Sequence, residues 1–315
     1  MSHSPLLTAL ERRQPLLDGK TDSLRLCDGE GDGYSLRDIF LDRFGPHLIL
    51  STRHDHLLSE SIHKQLAATG AHVSWKKLSN DAKTAPSPLF GDPIVDPFTI
   101  VENGLQYQID FTSGYSQGLF LDQRHNRARV NLLAGPSQRI LNTFAYTGAF
   151  SVSAAAAGAT TTTLDLSQPY LDWAKENFLC NTLDPEEHYF CKGDTFHWLK
   201  RFARQKRTFD GIILDPPTFS RDDKGKPFSV ERDYHLLVKL ATDCLTEEGW
   251  ILASTNCRRL TESALRKQLR PSIPSSHHIV STPMPPDFTG EPYLKSFWIL
   301  PRDSRLPPFE KGKLA

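Results

Sequence analysis

A turn with two consecutive prolines follows an apolar stretch in the sequence GIILDPPTFS, residues 211–220. The apolar residues predict a buried strand, and Asp215 follows them directly. Pro216 and the next proline cannot extend this strand because proline has no backbone N–H to donate. A carboxylate at a strand end, followed by such a turn and by Phe219, does not suit a hydrophobic core. We therefore predict that the turn presents chemical groups to a ligand.

A second predicted strand, 139–144, also ends in residues that suit a ligand. The chain leaves it through Tyr146 and Thr147 and enters a helix of small residues after Gly148, where a ligand can approach the backbone closely. Asp165 ends the next strand, 161–166, and lies 17 residues after that glycine, about where an acid would hold the hydroxyls of a ribose. Each residue also has a purely structural interpretation, as a turn glycine or a helix cap.

A third predicted strand, 188–191, is followed by Gly193 and Asp194. In an α/β sheet, ligands bind beyond the carboxyl ends of the strands, near the point where the strand order reverses. We therefore predict that Asp165, Asp194 and Asp215 belong to one ligand site. Only one glycine precedes the first helix, so the G-x-G-x-x-G fingerprint is missing, which disfavours an NAD-dependent oxidoreductase.

The order of elements predicts an α/β fold. Strands at 250–255, 278–282 and 296–300 follow those named above, and helices fit the segments 195–205, 231–245 and 261–270. Alternation of strands and helices predicts a mainly parallel sheet covered on both faces. The last two strands are joined by the proline-broken segment TPMPPDFTGEPYLK, so we expect them to pair antiparallel.

Three segments are expected along the chain. Residues 1–20 form a lead-in, residues 21–110 a small α+β domain, and residues 111–315 a larger α/β domain. A helix is predicted near 56–69. Asn103 and Gly104 predict a hairpin because both residue types tolerate positive φ.

Composition narrows the functional classes. The chain has 315 residues, with 37 Lys and Arg against 37 Asp and Glu, so a ligand must be attracted by local patches. The five cysteines lack C-x-x-C spacing, which predicts no disulfide framework, no metal site and a cytoplasmic location. A membrane span is not expected because no apolar run approaches about 20 residues.

Four segments together resemble one enzyme family. They are GYSQGLFLDQRHNR (114–127), LNTFAYTGAFSVSAAAAGA (141–159), LDLSQPYLDWAKENF (164–178) and ILDPPTFS (213–220). They are similar to class I S-adenosylmethionine-dependent methyltransferases, and specifically to bacterial 23S ribosomal RNA methyltransferases that modify cytosine C5 or guanine N2 or N7. The resemblance runs from about 24 to 300 and does not include the PUA-type RNA-binding domain that often comes first in the family.

The resemblance implies that residues 111–315 form a Rossmann-like, seven-stranded catalytic domain that ends in an antiparallel hairpin, and it makes residues 21–110 a candidate RNA-contacting domain. S-adenosylmethionine is the implied cofactor, and RNA, as 23S ribosomal RNA or a ribosomal particle, is the implied partner. Asp165 would hold the ribose hydroxyls and Asp194 the adenine amino edge. The methionine end of the cofactor would contact Gln123, Arg124, Phe144, Tyr146, Thr147 and Gly148, and Asp215 would also belong to the cofactor site.

The resemblance also gives a role to the proline turn. Asp215 and the carbonyl of Pro216 would line the place where the target base meets the methyl group, and Phe219 would offer a stacking face. The base must first leave its own stack.

Two chemistries compete at the strand end ASTNCRRL, residues 253–260. Methylation of cytosine C5 needs a cysteine that adds to the ring, whereas methylation of a nitrogen needs only positioned acceptors. In the alignment with the family, the catalytic cysteine falls on Asn256, and Cys257 lies one place beyond. We therefore favour guanine N2 or N7. A cytosine enzyme that uses Cys257 remains the first alternative, and a protein or small-molecule methyltransferase the second.

Local positive charge is the remaining candidate for RNA contact. One group is close to the proposed site and another lies at a helix end, where basic residues commonly face solvent. The groups are Arg258, Arg259, Arg266, Lys267 and Arg270, and Lys200, Arg201, Arg204, Lys206 and Arg207. The sequence makes no prediction about the oligomeric state.

Overall fold

The computed structural model describes residues 4–53, 59–78, 85–113, 116–221, 225 and 227–307. The chain divides into two compact units. The first comprises Met1–Arg124 with Pro285–Pro292, and the second comprises His125–Met284 with Tyr293–Ala315. The first unit therefore extends beyond residue 110, where the sequence placed the end of the small domain, and it includes a segment from near the carboxyl terminus.

The first unit contains a five-stranded sheet and a separate hairpin. In chain order its elements are α1 (Pro5–Arg13), β1 (Ser23–Asp28), β2 (Ile39–Phe44), β3 (His47–Thr52), α2 (Glu60–Ala68), β4 (His72–Lys77), β5 (Ser87–Phe90), β6 (Phe98–Glu102) and β7 (Leu105–Ile109). The sheet order is β1-β2-β3-β4-β5, with only β3 and β4 parallel among these pairs.

Several predictions for this unit are confirmed. The strands β6 and β7 pair antiparallel across Asn103 and Gly104, whose φ angles are 53° and 80°. The helix predicted at 56–69 is α2, although residues 56–58 lie outside the described part. The lead-in contributes α1, and its Leu6 and Ala9 are buried with Leu24 of β1.

The segment Pro285–Pro292 is held in the first unit by a buried carboxylate. Asp287 is fully buried and accepts hydrogen bonds from both terminal nitrogens of the Arg124 guanidinium. It also accepts from the backbone N–H of Arg25 at 2.9 Å. A Cβ on Gly31 would lie 2.4 Å from the backbone nitrogen of Gly290, so only glycine permits this packing.

The second unit contains the large sheet. Its elements are α3 (Arg124–Leu133), β8 (Arg139–Thr143), α4 (Ala149–Ala156), β9 (Thr160–Asp165), α5 (Gln168–Leu179), β10 (Tyr189–Lys192), α6 (Thr195–Arg204), β11 (Phe209–Leu214), β12 (Phe219–Arg221), β13 (Pro227–Ser229), α7 (Val230–Thr242), β14 (Leu245–Thr255), α8 (Glu262–Leu269), β15 (His277–Thr282) and β16 (Lys295–Pro301). The first residue of α3 still belongs to the first unit.

The seven strands lie in the order β10-β9-β8-β11-β14-β16-β15. The first five are parallel, and β16 runs antiparallel between β14 and β15. This confirms the predicted parallel sheet and the antiparallel pairing of the last two strands. The order reverses between β8 and β11, which leaves a crevice for ligands at the carboxyl ends of these strands.

Side chains of the central strands alternate between two cores, as the pleat of a strand requires. Leu141, Ile212 and Ile251 are buried on one face of the sheet, and Ile140 and Ile213 belong to a separate cluster on the other. Apolar residues on both faces of a strand are typical of a parallel sheet covered on both sides. In the described residues, every helix is too short or too polar to cross a lipid bilayer.

Candidate active site

The carboxyl ends of five parallel strands lie along one edge of the large sheet. Thr143, the last residue of β8, pairs with Leu164 on one side and with Leu214 on the other. Lys192 pairs with Asp165, so the two outer strands end at the same level. The registers therefore bring the ends of β8, β9, β10 and β11 to a common edge, as the sequence predicted.

The turn after β8 has an unusual backbone. Phe144, Tyr146 and Gly148 have φ angles of 51°, 51° and 72°, all in the left-handed region that side chains with a Cβ rarely adopt. The N–H of Tyr146 donates to Asp165 Oδ2 at 2.9 Å, and the N–H of Ala145 donates to a β9 carbonyl at 3.0 Å. Bonds to the neighbouring strand thus stabilise a turn that local propensity disfavours.

Gly148 is required here for two reasons. Besides its positive φ, an added Cβ would lie 2.6 Å from the Cβ of Ala174 in α5. The structure thus gives this glycine a packing role against α5, and the predicted approach of a ligand to its backbone stays a prediction. The neighbouring Thr147 is 1% exposed, and its carbonyl accepts from Asn177 Nδ2 at 2.8 Å.

Asp165 organises the same edge through its carboxylate. One oxygen accepts from Tyr146, and the other accepts from the backbone N–H of Ser167 at 2.9 Å. Ser167 is the N-cap residue of α5, but its side chain makes no capping hydrogen bond. Burial raises the pKa of Asp165, and these N–H donors oppose the rise. Each carboxylate oxygen has a further lone pair, so Asp165 can still accept from a ribose diol.

Asp194 caps α6. Its Oδ1 accepts from the backbone N–H of His197 at 2.8 Å, which is the structural interpretation of a lone aspartate at a helix start. The second carboxylate oxygen keeps acceptor capacity, so contact with an adenine amino group stays a prediction. Gly193 before it has φ 145°, and a Cβ there would lie 2.7 Å from the indole nitrogen of Trp198.

Asp215 is held between the ends of β11 and β14. Ser254 Oγ donates to Asp215 Oδ1 at 2.7 Å. The hydroxyl of Tyr234 lies 2.9 Å from the carbonyls of both Leu214 and Ser254. Burial, together with the charge of Asp215, raises the pKa of Tyr234, so this hydroxyl keeps its proton. The sequence missed Ser254 and Tyr234, because no local pattern marks a tyrosine of α7 as a brace between strands.

The proline turn places its residues differently. Pro216 is buried and Phe219 is 56% exposed. Phe228, across the β12–β13 ribbon, is buried against Phe144, with 6.3 Å between the ring centroids. The predicted stacking residue therefore has an accessible face, while its neighbour joins the core.

Asn256 and Cys257 have opposite environments although they are adjacent. Asn256 is exposed, and its Oδ1 accepts from the Thr218 hydroxyl of the proline turn at 3.1 Å. Cys257 is 2% exposed, and its thiol donates to Glu231 Oε1 at 3.6 Å. Of the two candidates, Asn256 is the one that contacts the turn containing Asp215.

Gln123 and Arg124 belong to the first unit, whereas the other predicted cofactor residues belong to the second. Gln123 and Arg124 are both buried. The Arg124 guanidinium binds the Asp287 carboxylate, as described above. Their contribution to cofactor binding stays a prediction. Residues 114 and 115 of the same motif lie outside the described part.

One basic residue predicted for RNA contact has a structural role instead. The Arg207 guanidinium packs over the rings of Tyr189, Phe202 and Phe209 at 4.9 to 5.3 Å and donates to Thr162 Oγ1 at 2.9 Å. Arg207 therefore packs at the edge of the sheet, and RNA contact by its group stays a prediction.

The edge residues fit S-adenosylmethionine. The cofactor presents a ribose diol and an adenine amino group, both of which need acceptors, and Asp165 and Asp194 offer carboxylate oxygens at adjacent strand ends. The strand order reverses beside the turn at 144–148, where a ligand of this fold class binds.

Known proteins resemble this chain over most of its length. YwbD of Bacillus subtilis (strain 168), named as a candidate ribosomal RNA large subunit methyltransferase, is 35% identical over 270 residues, which are 80% of this chain and 66% of YwbD. Ribosomal RNA large subunit methyltransferase K of Neisseria meningitidis serogroup B is 40% identical over 165 residues, 52% of this chain and 46% of that protein. This chain therefore spans less than two thirds of either relative.

A solved structure agrees with these matches. The crystal structure of SMU.776, a candidate methyltransferase complexed with SAH, superposes with a TM-score of 0.83 at 30% identity, and the match covers 94% of this chain and 80% of that one. Residues 57–294 match the model of a family described as S-adenosylmethionine-dependent methyltransferase. The seven-stranded sheet, the acidic strand ends and this match together show that the chain belongs to the S-adenosylmethionine-dependent methyltransferases.

Proposed function

We propose that this enzyme methylates a guanine of large-subunit ribosomal RNA in the cytoplasm, at N2 or N7. The relatives named for ribosomal RNA support the substrate. The observation that carries the choice of atom is the contrast between exposed Asn256, bonded to the proline turn, and buried Cys257.

The residues of the edge divide the work. Asp165 and the turn at 144–148 bind and orient the cofactor, which supplies a methyl group on a positively charged sulfur. The hydrogen bond from Ser254 Oγ, 2.7 Å long, orients the Asp215 carboxylate before the base binds. Together with the Pro216 carbonyl it accepts hydrogen bonds from an incoming amine, while Phe219 stacks on the base.

Burial of Cys257 argues against the cytosine alternative. Covalent addition to a pyrimidine ring requires the sulfur to reach the base as a thiolate. The sulfur of Cys257 contacts Glu231 of α7, whereas Asn256 contacts Thr218 of the proline turn. A side chain one position along a strand end points to the opposite face, which accounts for this difference.

The test is mass spectrometry of nucleosides from 23S ribosomal RNA of cells with and without the gene. Deletion is expected to remove one methylguanosine. Cys257→Ala should restore it, whereas Asp215→Ala and Asn256→Ala should not. Binding of S-adenosylhomocysteine to each purified variant, measured by calorimetry, verifies that the variants still fold.

Other outcomes identify the alternatives. Loss of 5-methylcytidine that Cys257→Ala fails to restore would make Cys257 the nucleophile. No change in any nucleoside would direct the search to a protein or small-molecule acceptor. The purified enzyme should then be assayed on deproteinised 23S RNA and on ribosomal particles from the deletion strain, because the two substrates differ in whether the target base is accessible.

A further inference from the structure

An arginine and a phenylalanine form a stacked pair directly after the proline turn. Phe219 and Arg221 lie on β12, and the guanidinium carbon of Arg221 is 5.7 Å from the Phe219 ring centroid. Arg221 Nη1 also donates to the Gly225 carbonyl at 3.0 Å, which fixes the side chain along the ribbon. A single exposed phenylalanine is ordinary on a protein surface. Its position beside the candidate site and its arginine partner are what matter here.

A second pair of the same kind follows the end of β14. The guanidinium carbon of Arg258 lies 4.7 Å from the ring centroid of Tyr293. Arg258 is exposed, and Lys295 Nζ donates to the carbonyls of Cys257 and Tyr293 at 2.8 and 3.0 Å. The lysine thereby ties together the two backbone segments that carry the pair.

One hydrogen bond joins the segments that bear the two pairs. Thr218, which precedes Phe219, donates to Asn256, which lies two residues before Arg258. Phe219, Arg221 and Arg258 therefore lie within three residues of this contact along the chain. We call these residues together the stacking surface: Thr218, Phe219, Arg221, Asn256, Arg258 and Tyr293.

The chemistry of the stacking surface fits nucleobases that are not paired. Unpaired RNA bases stack on aromatic rings and on the flat guanidinium of arginine, whereas bases within a duplex stack on each other and offer no free face. An arginine held against a ring also keeps its positive charge for a phosphate.

Acidic residues near the surface are themselves paired. Glu231 in the first turn of α7 accepts from Arg259 Nε at 2.8 Å, and Asp233 accepts from Arg232 at 2.7 Å. These contacts reduce the repulsion that the carboxylates would exert on a phosphate backbone. The chain as a whole has no net charge, so attraction of RNA depends on such local arrangements.

We propose that the stacking surface binds the unpaired RNA segment that contains the target base: Phe219 stacks on the target base, and flanking bases stack on the guanidinium of Arg221 and on the Arg258–Tyr293 pair. The proposal rests on the proposed function, because it names how that substrate docks. It assigns Arg221, Arg258 and Tyr293 to substrate binding and predicts that the enzyme prefers single-stranded to double-stranded RNA.

The test measures binding of a fluorescent oligouridylate of about 12 nucleotides, a length in the range of single-strand sites, and of an RNA duplex of the same length. Arg221→Ala and Arg258→Ala should each weaken single-strand binding at least about fivefold, as loss of one stacking contact does. Arg139→Ala is the matched control, because Arg139 is exposed at the opposite, amino end of β8. It should bind like the wild type.

Lysine variants separate stacking from charge. Arg221→Lys and Arg258→Lys keep a positive charge but lose the flat group, so each should keep the wild-type salt dependence and still bind more weakly. Each alanine variant should reduce the slope of log affinity against log salt by about 0.7 if that arginine also contacts a phosphate. Binding of S-adenosylhomocysteine should match the wild type in all variants.

The results separate this proposal from the proposed function. Weakened oligouridylate binding in both alanine variants supports the stacking surface even if no nucleoside of 23S RNA changes on deletion. Wild-type binding in both variants, equal losses for duplex and single strand, or no binding of oligouridylate by the wild type would overturn it, even where guanine methylation is established.

Discussion

Replacement of Gly148 by alanine tests how the cofactor turn is built. The alanine must adopt the φ angle of 72° that Gly148 has, which costs about 1–2 kcal/mol for a residue other than glycine. It would also lie 2.6 Å from the Ala174 Cβ, and relief of such overpacking costs about 1–3 kcal/mol. Reduced entropy of the unfolded chain returns about 0.4–1 kcal/mol. The expected net loss of unfolding free energy is therefore about 1–5 kcal/mol.

Urea unfolding followed by tryptophan fluorescence measures this loss. Gly135→Ala is the control, because that glycine has no positive φ and no heavy atom within 4 Å of an added Cβ. The variant Ala174→Gly removes the opposing methyl group, so the double variant Gly148→Ala/Ala174→Gly should recover the overpacking part. A double-mutant cycle isolates the coupling between the two positions.

Two results would refute the reasoning. Gly148→Ala could prove no more costly than Gly135→Ala, which would mean that neither the backbone angle nor the helix contact constrains the turn. Alternatively, the cycle could show no coupling between positions 148 and 174, which would mean that α4 and α5 separate freely. Affinity for S-adenosylhomocysteine should fall with stability in the single variant, because the turn leads directly into α4.

Three further predictions concern ionisable and buried polar groups. Burial raises the pKa of Asp165 above the ordinary aspartate value of 3.8, so on acidification the affinity for S-adenosylhomocysteine should begin to fall at a higher pH than it would with an ordinary aspartate. Asp165→Asn should abolish this pH dependence in calorimetry. Tyr234→Phe removes the hydroxyl that lies 2.9 Å from two buried strand-end carbonyls, so it should lower the free energy of unfolding in urea by about 1–3 kcal/mol and lower kcat. The control variant Tyr189→Phe, at an exposed tyrosine, should leave both quantities unchanged. Asp287→Asn leaves the buried charge of Arg124 without its carboxylate and should destabilise the protein by about 3–5 kcal/mol by the same measurement; a loss below 1 kcal/mol would show that this pair is dispensable.

The sequence was a good guide to the elements of the catalytic unit. The buried strand before Asp215 follows from its continuous run of apolar residues. Leu171, Ala174 and Phe178 of α5 recur at the helical spacing of about 3.6 residues and are buried on one face. The positions of Asp165 and Asp194 at strand ends follow from the same patterns. These features depend on neighbours along the chain, so local reasoning reaches them.

Local reasoning could not predict contacts between residues that are distant along the chain. The bond between the Arg124 guanidinium and Asp287, 163 residues away, was not predicted. The packing of Gly148 against Ala174 of α5 was not predicted either. No local pattern records which helix packs against which turn, because that depends on the crossing of whole elements over the sheet.

The amino-acid sequence by itself determined the fold class, the carboxylates at the strand ends and the family signature around the proline turn. Only the tertiary structure decided that Asn256 faces that turn while Cys257 faces α7, and that Tyr234 joins the ends of β11 and β14. The physical reason is that periodicity fixes the type and face of an element, whereas the direction of a side chain at a strand end depends on the backbone bonds and helices that surround it.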